Sequence, residues 1–495
     1  MRLLGLLITL AALLATADAT PPVASAATYA RIEGSGSTSA ELLLQQWVAD
    51  ADSVGMKIDY SARGSSTGRS DFAHASTDFG ISDIPYQGVD ESGAPDTSGD
   101  RDFAYVPVTA SGTAFSYHLT VGGRMIRNLR LSSATIAKIF TNRVTSWDDP
   151  AIARDNNGRR FPSLPVTPVV RSDGAGTTAQ LTAWLDHEHP GLWRPYLGRA
   201  GWTSYYPRQA GTRMVGRAGS DAVMNLIRSG AGNGAIGYVE YTYPLMADFP
   251  AAQVLNSAGY YVGPTAGDAA VALTAATVSG DLVVDLDDVW TNPDPRAYPL
   301  SAYSYLLLPT GADDPRMTTG KRQALTDFLQ YALCEGQSKA APYGYAPLPS
   351  NLVQAGFDQV AKLHEADPAV ELPELNAGSC GDPTADAPQP QACQARGAGP
   401  CGTAGPPTNR RRPSITGPVR VGTRAAADPG RWTGERGFRY QWLADGEPIA
   451  GARRPTYRIP VSLVGSRLRV RVTAMSAEFP PRTVSSAARR VRASG

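Results

Sequence analysis

The run Val166-Thr167-Pro168-Val169-Val170 leads straight into Arg171-Ser172-Asp173-Gly174-Ala175-Gly176-Thr177-Thr178, and a helix-like stretch follows from Thr178 to Leu185. An apolar run, then a loop of glycine and small hydroxyl residues, then a helix: this is the strand–loop–helix unit of an α/β fold. Two more loops share the composition. Gly34-Ser35-Gly36-Ser37-Thr38 precedes a helical candidate from Ala40 to Ala51, and Gly64-Ser65-Ser66-Thr67-Gly68 follows the strand candidate Lys57-Ile58-Asp59-Tyr60. The first N–H groups of a helix lack partners inside it, and the helix dipole places partial positive charge there. Glycine lets an anion approach that backbone, while Ser and Thr hydroxyls add donors. One such loop reads as a helix cap. Three of them, with Asp83 and Arg171 nearby in the chain, point to an oxyanion-binding cleft.

The alternation continues through residues 27 to 370, with strand candidates at Ala104-Tyr105-Val106-Pro107-Val108 and Ile236-Gly237-Tyr238-Val239. Helical candidates lie at Ser133 to Phe140 and Gly320 to Cys334. Such alternation predicts a mixed or parallel sheet. Upstream, Met1-Arg2 and the apolar run Leu3 to Leu14 read as a secretory signal, with cleavage after Ala24-Ser25-Ala26. The run is too short to span a bilayer, and no Cys stands near its end for a lipid anchor. The expectation is an exported, soluble or wall-associated protein. Residues 371 to 412 have a linker's Pro, Gly, Ala and Gln. Residues 413 to 493 show short alternating runs, such as Phe438-Arg439-Tyr440-Gln441-Trp442 and Leu468-Arg469-Val470-Arg471-Val472, divided by turn residues. That pattern predicts a small β-sandwich.

Charge divides the chain. The whole carries +1, yet from Pro406 onward 18 Arg and no Lys face 5 acids, about +13, leaving about −12 for the rest. Arg at the outward strand positions accounts for this as a solvated face. The Cys residues, Cys334, Cys380, Cys393 and Cys401, fit an oxidising compartment. Four thiols allow three pairings, and Cys334–Cys380 with Cys393–Cys401 is expected because it ties the linker to the first domain. A zinc site is the alternative, but no CxxC or neighbouring His favours it.

With these segments in place, residues 30 to 355 resemble the phosphate-binding proteins of bacterial ABC importers. The resemblance rests on the three loops, on Thr77-Asp78-Phe79-Gly80-Ile81-Ser82-Asp83, on Ala137-Lys138-Ile139-Phe140 with Trp147-Asp148-Asp149-Pro150, and on Ile236-Gly237-Tyr238-Val239-Glu240. Tyr298-Pro299-Leu300-Ser301 and Tyr343-Gly344-Tyr345-Ala346-Pro347-Leu348-Pro349 complete it. It implies a two-lobed type II periplasmic-binding-protein clamshell closing on one dehydrated phosphate, and delivery to a membrane permease. The implied ligand contacts are hydroxyls of Thr38, Ser65 and Thr177, backbone N–H groups of Ser39, Ala175 and Gly176, the Arg171 guanidinium, and Asp83. Asp173 is implied to orient Arg171. A carboxylate facing an anion is repulsive unless the ligand brings a proton, so Asp83 would accept phosphate and reject fully ionised sulfate. Two positions depart from the family: Ser39 stands where an aromatic is usual and Ala175 where Ser is usual. The second removes a hydroxyl worth about 1 kcal/mol. The tail, through Tyr440-Gln441-Trp442, Ile449-Ala450-Gly451-Ala452, Pro455-Thr456-Tyr457 and Gly465 to Val472, resembles immunoglobulin-like repeats of secreted actinobacterial proteins.

Other chemistries find less in the sequence. Gly64-Ser65-Ser66-Thr67-Gly68 formally fits a GxSxG nucleophile elbow, the basis of a weak phosphoester hydrolase reading, yet none of the five His stands in a telling context. Gly34 to Ser39 lacks a P-loop lysine. His187 and His189, beside Glu188 and Pro190, read as a solvated loop rather than a metal fragment. No cofactor, metal or nucleic acid is expected, while the basic tail could meet anionic wall polymers. Trp47 and Trp147 are assigned to packing.

Overall fold

The computed structural model describes residues 29–494 apart from 122, 160, 374–375, 381–384, 399, 402–406, 434, 436 and 476–480. The expected signal segment, 1–26, lies outside the described residues. The strand–loop–helix reading is borne out. An eight-stranded sheet is built from β1 (Ile32–Gly36), β2 (Ile58–Ala62), β3 (Phe79–Ser82), β4 (Phe103–Tyr117), β5 (Thr167–Arg171), β6 (Val215–Arg217), β7 (Ala235–Glu240) and β8 (Ser301–Pro309). Their spatial order is β6-β5-β7-β4-β8-β3-β1-β2. At one end β2, β1 and β3 are mutually parallel, and at the other so are β6, β5 and β7. Between these groups β4 and β8 run antiparallel to each other and to their neighbours.

Sequence reading places only Ala104 to Val108 in a strand; β4 is three times that length because it serves both lobes. Its first part, Phe103–Gly112, pairs with β8, and its last, Thr113–Tyr117, pairs with β7. The apolar side chains divide accordingly. Ile32, Trp47, Phe79, Val106, Leu306 and Phe328 share the first lobe's core, while Phe115, Trp147, Trp184, Trp193 and Tyr238 share the second's. Each of the two tryptophans assigned to packing is buried and donates its indole N–H to a carbonyl, Trp47 to Gly336 and Trp147 to Gly234, both at 3.0 Å. Two lobes joined by crossing strands make a clamshell.

Both disulfides form as expected, Cys334–Cys380 and Cys393–Cys401. They anchor a strap. Cys334 follows the first-lobe helix Thr319–Leu333, and the second bridge is held on the other lobe by buried Arg130, which donates to the carbonyls of Cys393 and Ala398. Between them, Ala395 bridges Tyr260 and Arg396 N–H donates to Gly259.

The C-terminal region is a small β module whose strands pair antiparallel, with one parallel bridge between Arg420 and Arg492. Gly437–Ala444 pairs with Arg467–Met475, which pairs with Arg482–Ser485; Ser414–Thr416, Arg424–Asp428 and Thr456–Arg458 form a second sheet. Thr408–Arg411, inside the stretch read as linker, pairs with Arg431–Thr433. Ile415, Trp442, Ile459, Leu468, Val470 and Val472 pack together. Period-two alternation leaves Arg467, Arg469 and Arg471 exposed on the opposite face.

Candidate functional site

Parallel strands deliver their C-terminal ends, and the helices after them, to one place. After β1 comes α1 (Glu41–Asp52), after β2 α2 (Ser65–Ala73), after β5 α3 (Gly176–Glu188) and after β6 α4 (Ser220–Arg228). The residues capping them are Ala40, Gly64, Ala175 and Gly219, and none gives a side-chain cap hydrogen bond. Elsewhere in the same domain Ser132, Asp149, Thr265 and Thr318 cap their helices with side-chain oxygens, while His189, Tyr241, Leu286, Pro349 and Ala361 do not. The first four ends surround the cleft. Donors left open there are available to a ligand.

The lobes meet closely at these loops. Ser66 N–H donates to Gly174 O at 3.1 Å. Gly64 has φ +95°, and a Cβ on it would stand 2.7 Å from Gly174 O, so glycine is required twice over. A Cβ on Gly176 would come within 2.3 Å of Asp83 Oδ2, so Asp83 reaches across to the opening turn of α3.

Arg171 ends β5 and is only 1% exposed. Its Nε donates to Asp173 Oδ1 at 2.8 Å, and Nη2 pairs with Asp173 Oδ2. Nη1 is aimed at three hydroxyls: Thr38 at 3.0 Å, Ser220 at 3.1 Å and Thr177 at 3.3 Å. Burial alone pulls the Arg171 pKa down, but the Asp173 hydrogen bond and charge outweigh it and hold the guanidinium above its ordinary value. Burial likewise raises the Asp173 carboxyl, and Arg171 reverses that, leaving it below the ordinary range. The result is a fixed fork suited to a tetrahedral oxyanion.

Opposite stands Asp83, at the end of β3 and 5% exposed. Its Oδ2 accepts from Ser39 at 2.6 Å, Ser37 at 2.8 Å and Ser65 at 3.2 Å, and Oδ1 accepts from Ser304 at 2.6 Å. The strand β8 shifts register between Ser304 and Tyr305 at this point. Thr38, Ser39, Ser65, Asp83, Arg171, Ala175, Gly176 and Thr177 therefore share one buried cluster, with Asp173 at its edge. Two amides named as donors are engaged here. Ala175 N–H donates to Ser204 O at 3.0 Å and Ser39 N–H to Ser37 Oγ at 2.9 Å. Ser39 thus enters the cluster chiefly by its hydroxyl.

Four members escape sequence reading. Ser37 lies in a loop already singled out. Ser220 follows Gly219 ahead of an amphipathic helix, the same design a fourth time, and was legible on that ground. Glu240 closes β7, accepts from Ser220 at 2.8 Å and lies 2.6 Å from Ser39 Oγ. Burial raises its pKa, against the pull of Arg171. Ser304 carries no local signal; strand pairing alone brings it to Asp83. Ser66, the GxSxG serine, meets no imidazole: His74, His118, His189 and His364 bond elsewhere, and His187 sits by Glu188.

The sequence model of the PBP superfamily domain matches residues 21–335. A phosphate-binding protein PstS of Xylella fastidiosa is 30% identical over 342 residues, covering 68% of this chain and 86% of its own. Phosphate-binding protein PstS 2 of Mycobacterium tuberculosis is 29% identical over 329 residues, 65% of this chain and 84% of its own. Among solved structures, a high-affinity periplasmic phosphate-binding protein (PfluDING) at subatomic resolution shares the fold, with a TM-score of 0.52 at 18% identity over 70% of this chain and 100% of that one. The chain belongs to the PBP superfamily and, within it, to the family of phosphate-binding proteins of ABC importers.

Proposed function

We propose that the cleft captures inorganic phosphate by closure of the two lobes, for uptake through an ABC-type permease. The observation that carries this is the meeting of uncapped helix ends around Arg171 with a carboxylate, Asp83, on the facing wall. Arg171, Thr38, Ser65, Ser39 and Thr177, with the open amides of α2 and α3 including Gly176, replace the water shell of the anion. Ala175 shapes that wall. As phosphate enters, the Ser37 and Ser65 hydroxyls that now serve Asp83 turn to its oxygens, and Asp83 accepts the proton of a protonated phosphate. This is a binding role with no bond made or broken. The protein works outside the membrane after removal of its signal segment near Ala26; among the described residues no helix is long and apolar enough to cross a membrane.

Equilibrium dialysis of the full chain against labelled phosphate tests the reading. The expected result is saturable retention of one phosphate per chain, abolished in Arg171→Ala. Retention by that variant equal to the unaltered protein's refutes it.

A second reading concerns residues 413 to 493 as an immunoglobulin-like module that holds the protein at the cell wall, where the clamshell scavenges, senses or adheres. The exposed row Arg467, Arg469 and Arg471 favours it. Cell fractionation distinguishes the two: wall association lost on deleting residues 406 to 495 supports anchoring, and association that survives the deletion rejects it.

A further inference from the structure

In the anion site one hydroxyl lies between two carboxylates. Ser39 Oγ is 2.6 Å from Asp83 Oδ2 and 2.6 Å from Glu240 Oε1, and all three residues are buried. A hydroxyl carries a single proton, so Ser39 can donate to only one of them. The other contact is a hydrogen bond only if that carboxyl carries a proton and gives it to Ser39 Oγ. Two ionised carboxylates at this spacing from one oxygen would also repel each other in a water-poor site.

The two acids are not equivalent. Asp83 receives hydroxyls from Ser37, Ser65 and Ser304 besides Ser39, so both its oxygens act as acceptors. Glu240 has the single hydroxyl of Ser220 on its second oxygen, with its own backbone N–H beside the carboxyl. The charged and titratable groups facing Glu240 are Arg171 from β5, Asp83 from β3, Glu41 from α1 and the phenols of Tyr243 and Tyr345. Of these only Arg171 is cationic, and it is already paired with Asp173. With Glu240 ionised, an entering anion would meet two uncompensated negative charges; with Glu240 neutral, one.

We propose that Glu240 is a second, proton-carrying carboxyl that sets the specificity of the site: Glu240 donates to Ser39, Ser39 donates to Asp83, and phosphate capture is coupled to the proton on Glu240. This rests on the phosphate reading above. The proton is taken from solvent and stays on Glu240 Oε1; the phosphate keeps its own for Asp83, so no bond to phosphorus changes. Burial, which raises the Glu240 pKa, acts in the same direction, with Asp83 adding to it and Arg171 opposing. The sign follows: the binding-competent form is the protonated one, so affinity is full at low pH and falls as pH rises past the pKa of Glu240 in the unliganded protein.

The test is calorimetric titration of the full chain with inorganic phosphate from about pH 6 to about pH 8, in buffers of different ionisation enthalpy, for the unaltered protein and Glu240→Gln. Glutamine keeps the shape and a donor but cannot titrate. The expected result is that the affinity of the unaltered protein falls with pH more steeply than the variant's, by up to about tenfold per pH unit, and that it binds a proton the variant does not. Equal slopes and equal proton counts, with phosphate bound by both, overturn the role of Glu240 and leave the phosphate reading intact. Absence of phosphate binding by the unaltered protein at every pH overturns the phosphate reading itself. If the variant does not fold, or folds and binds nothing, the infrared difference spectrum of the phosphate-loaded unaltered protein decides. A carbonyl band of an un-ionised carboxylic acid that fades as pH rises supports the proposal, and no such band rejects it.

Discussion

Four helices that open on the cleft and four others of the same domain end differently. In the second set, Ser132, Asp149, Thr265 and Thr318 each turn a side-chain oxygen onto an amide of the first turn. At the cleft, Ala40, Gly64, Ala175 and Gly219 do nothing of the kind. A missing cap costs about 1 kcal/mol where Ala stands and only a few tenths where Gly stands, so the four together are a modest local cost. The helices after His189, Leu286, Pro349 and Ala361 lack side-chain caps as well, so what sets the cleft apart is the convergence of four uncapped ends on one point.

That contrast can be broken in graded steps. Replacing Arg171 by Ala removes the guanidinium aimed at the cluster and strands Asp173, so phosphate affinity should drop by about 3 kcal/mol or more, over a hundredfold. Dialysis against labelled phosphate reads this directly. Asp83→Asn keeps the shape but turns one acceptor into a donor; phosphate should weaken by about 2 kcal/mol and sulfate should gain, narrowing their ratio in competition binding. On the outer side, Thr318→Ala should lower stability by about 1 kcal/mol in a thermal melt and leave phosphate affinity alone. The smallest change is Ala175→Ser, which places a hydroxyl at the N-cap of α3 and should raise unliganded stability by up to about 1 kcal/mol. If Thr318→Ala weakens phosphate as much as Arg171→Ala does, the division between the two kinds of helix fails.

Much of this arrangement is local, and what is local could be read. The loop at Arg171 to Thr178 predicts a strand end and a helix start because backbone freedom at glycine and the 3.6-residue period are properties of neighbours in sequence. The β module was legible for the same reason, in the alternation of Leu468-Arg469-Val470-Arg471-Val472. Long-range pairing was not. The length of β4 depends on two different partner strands, and Ser304 meets Asp83 only because β8 lies beside β3. Nor does the sequence say that Ser204 O takes the Ala175 amide, since that bond joins loops remote in the chain. Glu240, a strand-end acid within a quoted motif, was visible as a residue but not as a neighbour of Ser39.

In the proposed function the two walls together recognise a protonated tetrahedral anion, Arg171 by its charge and Asp83 by the ligand's proton. Calorimetry of the full chain with phosphate and with sulfate at neutral pH tests it most directly. The account expects one phosphate to bind with measurable heat and sulfate to give none at matched concentration. Equal affinity for the two anions would contradict it.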